Sequence, residues 1–400
     1  MDAFYCSKKL VLIAIAYGLL LLAPSGRSLG AGPQKRFGSI ISFGDSLADT
    51  GNKISFTSSQ ASRLPYGMNF PGGPTGRYSN GRLIVDFIAQ SMGLQFLQPY
   101  PAKEDSNFSG SVNFAVAGAT ALNSTPSYLS MGSQLEWFEK FLSSLCNNIS
   151  SPHPYMHLWP QSIEYILHTD NWVKDKRAAR NERLDGHLDK RGCEVYIGNS
   201  LILMGEIGGN DYNGPFLDGQ SKEDVEKLVP YVIKAISSAI EKLISQGAKT
   251  VVVPGNLPIG CSAAYLTKFQ SRNKSDYDPK TGCLSWLNNF AQQHNTQLQE
   301  ELNRLCRLHA DSRVKIIYAD YFNAAMKFYT DPAKFGFEKA TIACCGGKGP
   351  YNYDASVPCG VKGSTVCGDP SKYVSWDGIH LTEAAYRLIA NEIIMEYLHD

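Results

Sequence analysis

The sequence predicts an α/β fold: a five-stranded, mainly parallel sheet covered on both faces by helices. Three observations predict it. Five short apolar runs recur along the 400-residue chain, each of the continuous kind expected of a strand buried on both faces. Segments with helical apolar spacing lie between them. Three of the runs feed straight into glycine-rich turns carrying polar residues, and sites in such sheets form at the carboxyl ends of the strands.

The first thirty residues stand apart from the fold. Lys8 and Lys9 precede an apolar run from Leu10 to Ala23, which Pro24, Ser25 and Gly26 break. A basic flank, a short apolar stretch and small residues afterwards predict a secretory signal over residues 1–30. The run is shorter than the roughly 20 residues a membrane span needs.

The elements then follow in order. Ser39 to Phe43 (SIISF) is the first strand, and Gly44 turns it. Arg82 to Met92 has helical spacing. Val112 to Val116 is the second strand, and Gln134 to Leu145 reads as a helix. Leu201 to Ile207 is the third strand and ends at Gly208-Gly209. Glu223 to Gln246 is a long amphipathic helix stopped by Gly247. Thr250 to Val253 is a β-branched strand ending at Pro254-Gly255. Trp286 to Leu308 is a helix, Val314 to Tyr318 the last strand, and Thr382 to Tyr397 a terminal helix with Thr382 as N-cap.

One segment breaks the alternation, about residues 147–192. Positions 172–191 alone hold eleven charged side chains, and four of the eight histidines fall within the segment. Their spacing is too irregular for a metal site, so a solvated surface insertion is expected. The rest of the chain, residues 31–400, reads as a single domain. The formal net charge of +1 excludes strong attraction to nucleic acid or an anionic surface, and no later segment is apolar enough to span a membrane.

The cysteines fit export. Ten are present, and Cys6 leaves with the signal. The other nine lack the paired C-x-x-C spacing of zinc sites, so disulfides are expected, with at least one cysteine left free or bridged between molecules. Connectivity does not follow from sequence. Cys261 with Cys283, and Cys146 with Cys193 across the irregular segment, are candidates. N-x-S/T sequons at Asn107, Asn123, Asn148 and Asn273 are candidate glycosylation sites.

The chemistry concentrates in four places. Ser46 sits on the glycine turn after the first strand, within FGDSLADTGN. A serine needs a base to become a nucleophile. The candidate base is His380, in WDGIHLT, where Asp377 stands three residues ahead. A carboxylate at that spacing can fold back onto Nδ1–H and leave Nε2 for a serine. Acyl transfer also needs donors for a developing oxyanion. NFAVAGAT offers the Gly118 N–H, and GGND offers the Asn210 side-chain amide.

FGDSLADTGN, NFAVAGAT, GGND and WDGIHLTEAA occur in that order, and together they resemble the blocks of the GDSL family of plant esterases and lipases, within the SGNH hydrolase superfamily. PTGRYSNGRLIVDF, VVVPGNLPIGC and CCGGKGPYNY add to the likeness, which covers nearly all of residues 37–397. The resemblance implies a flavodoxin-like three-layer α/β/α sandwich. It implies Ser46, Asp377 and His380 as catalytic residues and Ser46, Gly118 and Asn210 as the oxyanion hole. It implies a secreted or vacuolar monomer acting on a small-molecule ester, with no metal or organic cofactor. The look is close to that of members that deacylate alkaloids and sinapine, so a short or aromatic acyl ester is expected. Acyl transfer to an alcohol is the alternative, and an inert secreted binding protein a lesser one. Two features depart from the family pattern: the length of the 147–192 segment, and Ala117 where many relatives carry glycine. The α/β-hydrolase fold is excluded, since Ser46 lacks the glycine two residues later of a G-x-S-x-G elbow.

Overall fold

A computed structural model describes residues 37–100, 110–123, 129–146 and 190–398. The expected signal, residues 101–109 and most of the irregular segment lie outside the described residues. The chain begins with β1 (Ser39–Ser42), then α1 (Asn52–Phe56), α2 (Ile84–Ser91), β2 (Gln98–Pro99), β3 (Val112–Asn113) and α3 (Met131–Leu145). After the irregular segment come α4 (Lys190–Gly198), β4 (Ser200–Leu203), α5 (Gly209–Leu217), α6 (Lys222–Glu226), α7 (Val229–Ser245) and β5 (Thr250–Pro254). The remainder holds α8 (Ala263–Lys268), α9 (Ser285–Leu308), β6 (Lys315–Ala319), α10 (Tyr321–Thr330), β7 (Cys345–Gly346), β8 (Thr365–Val366) and α11 (Glu383–Ile393).

The main sheet has six strands in the order β2-β3-β1-β4-β5-β6, all parallel. All five expected strands are in it. The sixth, β2, is a two-residue edge strand, too short to leave a periodic signal. Side chains along each inner strand alternate between two apolar layers, as the pleat requires. Ile41, Ile202, Val251 and Ile316 pack with α3, α5, α7 and α9 on one face. Ile40, Leu201, Val252 and Ile317 pack with α2, α10 and α11 on the other. Both faces are covered, which makes the three-layer sandwich.

Some boundaries differ from the sequence reading. The expected helix over 223–246 is two helices, because Pro230 lies in the first turn of α7 and supplies no N–H to continue a helix from α6. The helix α4 starts at Lys190, inside the segment expected to be irregular. A free thiol is not found among the described residues. Cys146–Cys193, Cys261–Cys283, Cys344–Cys367 and Cys345–Cys359 are bridged, and Cys306 is disulfide-bonded as well.

The loop ahead of α2 is held by a buried ion pair. Arg77 Nε and Nη2 donate to Asp86 at 2.8 and 2.7 Å, and Nη1 donates to Thr50 O at 3.2 Å. Phe70 lies under the guanidinium at 4.3 Å. Asp86 also accepts the Leu83 N–H at the start of α2. A buried pair of this kind costs little while intact and a great deal when halved, since the survivor keeps an uncompensated charge. Asp86→Ala is therefore expected to lower stability by about 3–5 kcal/mol, read as the shift in denaturant midpoint. An unchanged midpoint would show the pair to be energetically idle.

Candidate active site

The sheet has its topological switch at β1, the first strand in the chain, which lies between β3 on one side and β4 on the other. Ser46 follows β1, Gly118 follows β3 and Asn210 follows β4, so the candidate residues gather where such sheets open a crevice.

Glycines let the β1 and β4 turns meet backbone to backbone. Gly44 has φ 130° and Gly205 has φ 54°, and a Cβ on Gly205 would lie 2.0 Å from Phe43 O. Gln134 of α3 then locks the β1 turn. Its Nε2 donates to Gly44 O at 2.7 Å, and its Oε1 accepts the Gly44 N–H at 2.9 Å. Two buried carboxylates brace the neighbouring turns. Asp49 accepts N–H groups from Gly51, Asn52 and Lys53, and also from Ala117 at 2.8 Å. Asp211 accepts from Ala121 at 2.7 Å and Leu122 at 3.0 Å. The Gly118 turn is thus tied on one side to the Ser46 loop and on the other to α5, which carries Asn210.

The fourth element is the loop 375–381. Tyr353 packs where a Gly378 side chain would go, at 2.3 Å from its Cβ position, and Gly378 has φ 97°, so only glycine fits. Trp376 N–H donates to His380 O, which closes the loop on itself. Cys344 and Cys345 donate N–H groups to Ser375 O and Trp376 O, and both cysteines are bridged elsewhere.

These elements bring Ser46, Asp377 and His380 together. His380 Nε2 lies 2.8 Å from Ser46 Oγ, and Nδ1 lies 2.7 Å from Asp377 Oδ2. Asp377 Oδ1 accepts the N–H groups of Ile379 at 3.0 Å and His380 at 2.8 Å. Tyr66 OH donates to Asp377 Oδ2 at 2.7 Å. Burial pushes the Asp377 carboxyl up, but the His380 charge and these hydrogen bonds outweigh it and hold it below the usual value. Ionised Asp377 therefore adds stability above the ordinary carboxylate range, and that stability is lost as pH falls through the depressed folded value. Asp211 has the opposite sign. Burial raises it from 3.8 to about 6, so it costs stability as pH rises through that window.

A cavity of about 400 Å³ opens on this set. Ser46, Gly118, Asn210 and His380 all line it, among Leu47, Leu217, Leu257 and Ile379. Neither the Ser46 N–H nor the Gly118 N–H donates to a partner among the described residues. The Asn210 amide is engaged: Nδ2 donates to Asp45 Oδ2 at 2.8 Å and to Ala119 O at 3.1 Å. Among the described residues, no group of three or more His, Cys, Asp or Glu side chains is arranged to hold a metal ion. Of the sequon asparagines, Asn123 and Asn273 are exposed, while Asn107 and Asn148 lie outside the described residues.

Sequence reasoning missed the supports. Asp49 and Asp211 stand inside the quoted motifs but read there as turn residues. Gln134 and Tyr66 carry no local signal, since each acts on a loop distant in sequence. Tyr66 has a testable part. Burial and the nearby Asp377 raise its hydroxyl well above the ordinary range, so it stays protonated and donating. Tyr66→Phe removes one bond to a charged acceptor and is expected to lower kcat about tenfold with KM little changed. Equal kcat for the variant and the parent would show that Asp377 does not need this donor.

The chain is similar to known proteins along most of its length. The sequence model of the GDSL-like Lipase/Acylhydrolase family matches residues 40–393. GDSL esterase/lipase At1g28600 of Arabidopsis thaliana is 45% identical over 376 residues, covering 90% of this chain and 85% of the relative. GDSL esterase/lipase At1g28670 of the same organism is 42% identical over 404 residues, covering 97% and 93%.

Proposed function

The chain belongs to the GDSL-like lipase/acylhydrolase family and is a carboxylic ester hydrolase, and on that premise we propose how its residues do the work. The observation that carries the proposal is the 2.8 Å contact between Ser46 Oγ and His380 Nε2, with Asp377 behind the imidazole. His380 takes the Ser46 proton as Oγ attacks the ester carbonyl. Asp377 holds the tautomer with Nδ1 protonated and stabilises the imidazolium. The negative charge on the carbonyl oxygen is met by the Ser46 and Gly118 N–H groups and by the Asn210 amide. For Asn210 the longer bond, to Ala119 O, is the one the oxyanion displaces. The tetrahedral intermediate collapses, the C–O bond breaks, and His380 gives its proton to the leaving alcohol. Water then enters, His380 takes one of its protons, and the acid leaves as Ser46 regains its hydrogen.

The substrate proposed is a short or aromatic acyl ester of a polar or aromatic alcohol, of the kind found among plant specialised metabolites. The cavity supports this in size and in lining. About 400 Å³ suits a compact ligand, and Asn213, Asn256 and Ser262 add polar contacts beside the apolar Leu47, Leu217, Leu257 and Ile379. Residues 1–30 are read as a signal removed on export to the apoplast or vacuole, and residues 31–400 as one monomeric domain. Disulfides such as Cys261–Cys283 and Cys344–Cys367 form in oxidising compartments, which supports export. Exposure at Asn123 and Asn273 suits glycan attachment there.

A series of aryl esters from acetyl through cinnamoyl to palmitoyl tests the substrate reading. Turnover should be highest for the acetyl and aromatic acyl esters and fall for palmitoyl. A palmitoyl ester turned over fastest would contradict it. Repeating the assay with a second alcohol present separates the two fates of the acyl group. Free acid as the main product supports hydrolysis, and a new ester as the main product makes the protein an acyltransferase.

A further inference from the structure

Two carboxyl groups sit behind the Asn210 amide. Asp45 precedes Ser46, and Glu206 stands at the start of the turn that leads to Asn210. Both are buried, at 3% and 6% exposure. The close approach of Gly44 and Gly205 brings their turns together, and the Asp45 N–H donates to Glu206 O at 3.0 Å. Glu206 lies close enough for its charge to act directly on Asp45. Two carboxylates cannot hydrogen-bond each other unless one carries a proton.

Each carboxyl is also tied to the site. Asp45 Oδ1 accepts the Leu47 N–H at 2.9 Å, and Oδ2 accepts Asn210 Nδ2 at 2.8 Å. Glu206 Oε1 accepts the Gly209 N–H at 3.1 Å, one residue before Asn210. The pair therefore grips Asn210 from its side chain and from its backbone neighbour. The other ionisable groups around it are mostly acidic or phenolic: Asp49 on the Ser46 loop, Asp211 and Tyr212 on α5, Tyr265 on α8, Tyr321 on α10 and Tyr386 on α11. Lys53 and His380 are the basic residues lining the same cavity.

We propose that Asp45 and Glu206 form an acid–carboxylate pair sharing one proton, and that this pair is the positioning device for the Asn210 oxyanion donor. The inference rests on the Ser46 reading above and names a control on that same site. With one proton the pair carries a single negative charge and a fixed geometry. Asp45 keeps an oxygen aimed at the Asn210 amide, which turns that amide toward the cavity. Without the proton, two negative charges repel each other next to the point where the oxyanion forms. The hydrogen bond between them breaks, Asn210 loses its fixed orientation, and the transition state faces an added like charge. The pair is thus expected to set the alkaline limit of activity. Burial, followed by the partner's charge, raises Asp45 well above the ordinary range, and burial raises Glu206, both in the direction that favours a shared proton.

The test is the pH profile of kcat/KM on an aryl acetate. Glu206→Gln keeps a hydrogen bond to Asp45 but has no proton to lose. Its alkaline limb, scaled to its own plateau, is expected to move up by on the order of one pH unit or more. If the first variant does not fold, Asp45→Asn, which keeps one acceptor oxygen and loses the other, gives a second readout: the same displacement of its scaled limb is expected, from a lower plateau. Asp45→Ala removes the acceptor and should lower kcat by roughly 10²-fold with KM nearly constant, the effect of a mis-set oxyanion donor. An alkaline limb in Glu206→Gln or Asp45→Asn that coincides with the parent's would overturn the proposal. So would a parental kcat in Asp45→Ala. The Ser46 reading fails separately, through retained turnover in Ser46→Ala.

Discussion

Ser46→Ala is expected to lower kcat on an aryl ester by roughly 10⁶-fold, the scale seen when a serine nucleophile is removed from an intact base and oxyanion site. The size follows from the geometry. Ser46 Oγ is the hydroxyl that His380 Nε2 faces at 2.8 Å, and the described His380 ring has its other nitrogen committed to Asp377. Removing Oγ leaves the imidazole without a group to activate, so only the oxyanion donors and the cavity act on the substrate. KM should change little, because the cavity walls are untouched. Ser46 is a small, nearly buried residue on a turn held by Gln134 and Asp49 through backbone contacts. The variant should therefore fold normally, with an unshifted melting temperature. Retained turnover in a folded Ser46→Ala protein would remove the nucleophile from the account.

Asp377→Asn is expected to lower kcat by about 10⁴-fold, the cost of holding a catalytic imidazole in the wrong tautomer. The substituted amide preserves shape. Its oxygen can still accept the N–H groups of Ile379 and His380, which Asp377 Oδ1 accepts in the parent. The remaining position changes from acceptor to donor. It then faces the His380 Nδ1 at 2.7 Å and the Tyr66 hydroxyl at 2.7 Å, both of which donate in the parent. The least costly response is for His380 to place its proton on Nε2, which points it at Ser46 and abolishes the base. Two controls separate this from unfolding. The melting temperature should drop only modestly, and labelling of Ser46 by a phosphonylating agent should slow in proportion to kcat. If Asp377→Asn retained more than about a tenth of the parental rate, a shift of about 1.4 kcal/mol, the carboxylate would be a structural residue only.

The strands were legible because a sheet buried on both faces demands continuous apolar runs, and SIISF or TVVVP satisfies that demand locally. The reacting groups were legible for a related reason. Nucleophile, base and orienting acid must be particular residue types, and the Asp377–His380 spacing lets one turn satisfy both. Elements stabilised by partners distant in sequence were not legible. Helix α5 contains Gly209, Gly214 and Pro215, poor helix formers, and it forms because Tyr212 and Phe216 bury against Phe290. Helix α10 follows β6 directly, with Asp320 as its N-cap, and its 10 residues are too short for a clear period. The bracing carboxylates read as turn residues because nothing local reveals that Asp49 reaches Ala117 or that Asp211 reaches Ala121. The same holds for Asp45 and Glu206, which meet only because β1 and β4 are neighbours in the sheet.

The central claim is that Ser46, activated by His380, forms a covalent bond with the acyl carbon of the substrate. The most direct measurement is the mass of the intact protein after exposure to a fluorophosphonate, followed by peptide mapping of the adduct. The account predicts a single adduct, located on Ser46, absent from Ser46→Ala and strongly slowed in His380→Ala. An adduct on any other residue, or labelling of His380→Ala at the parental rate, would contradict it.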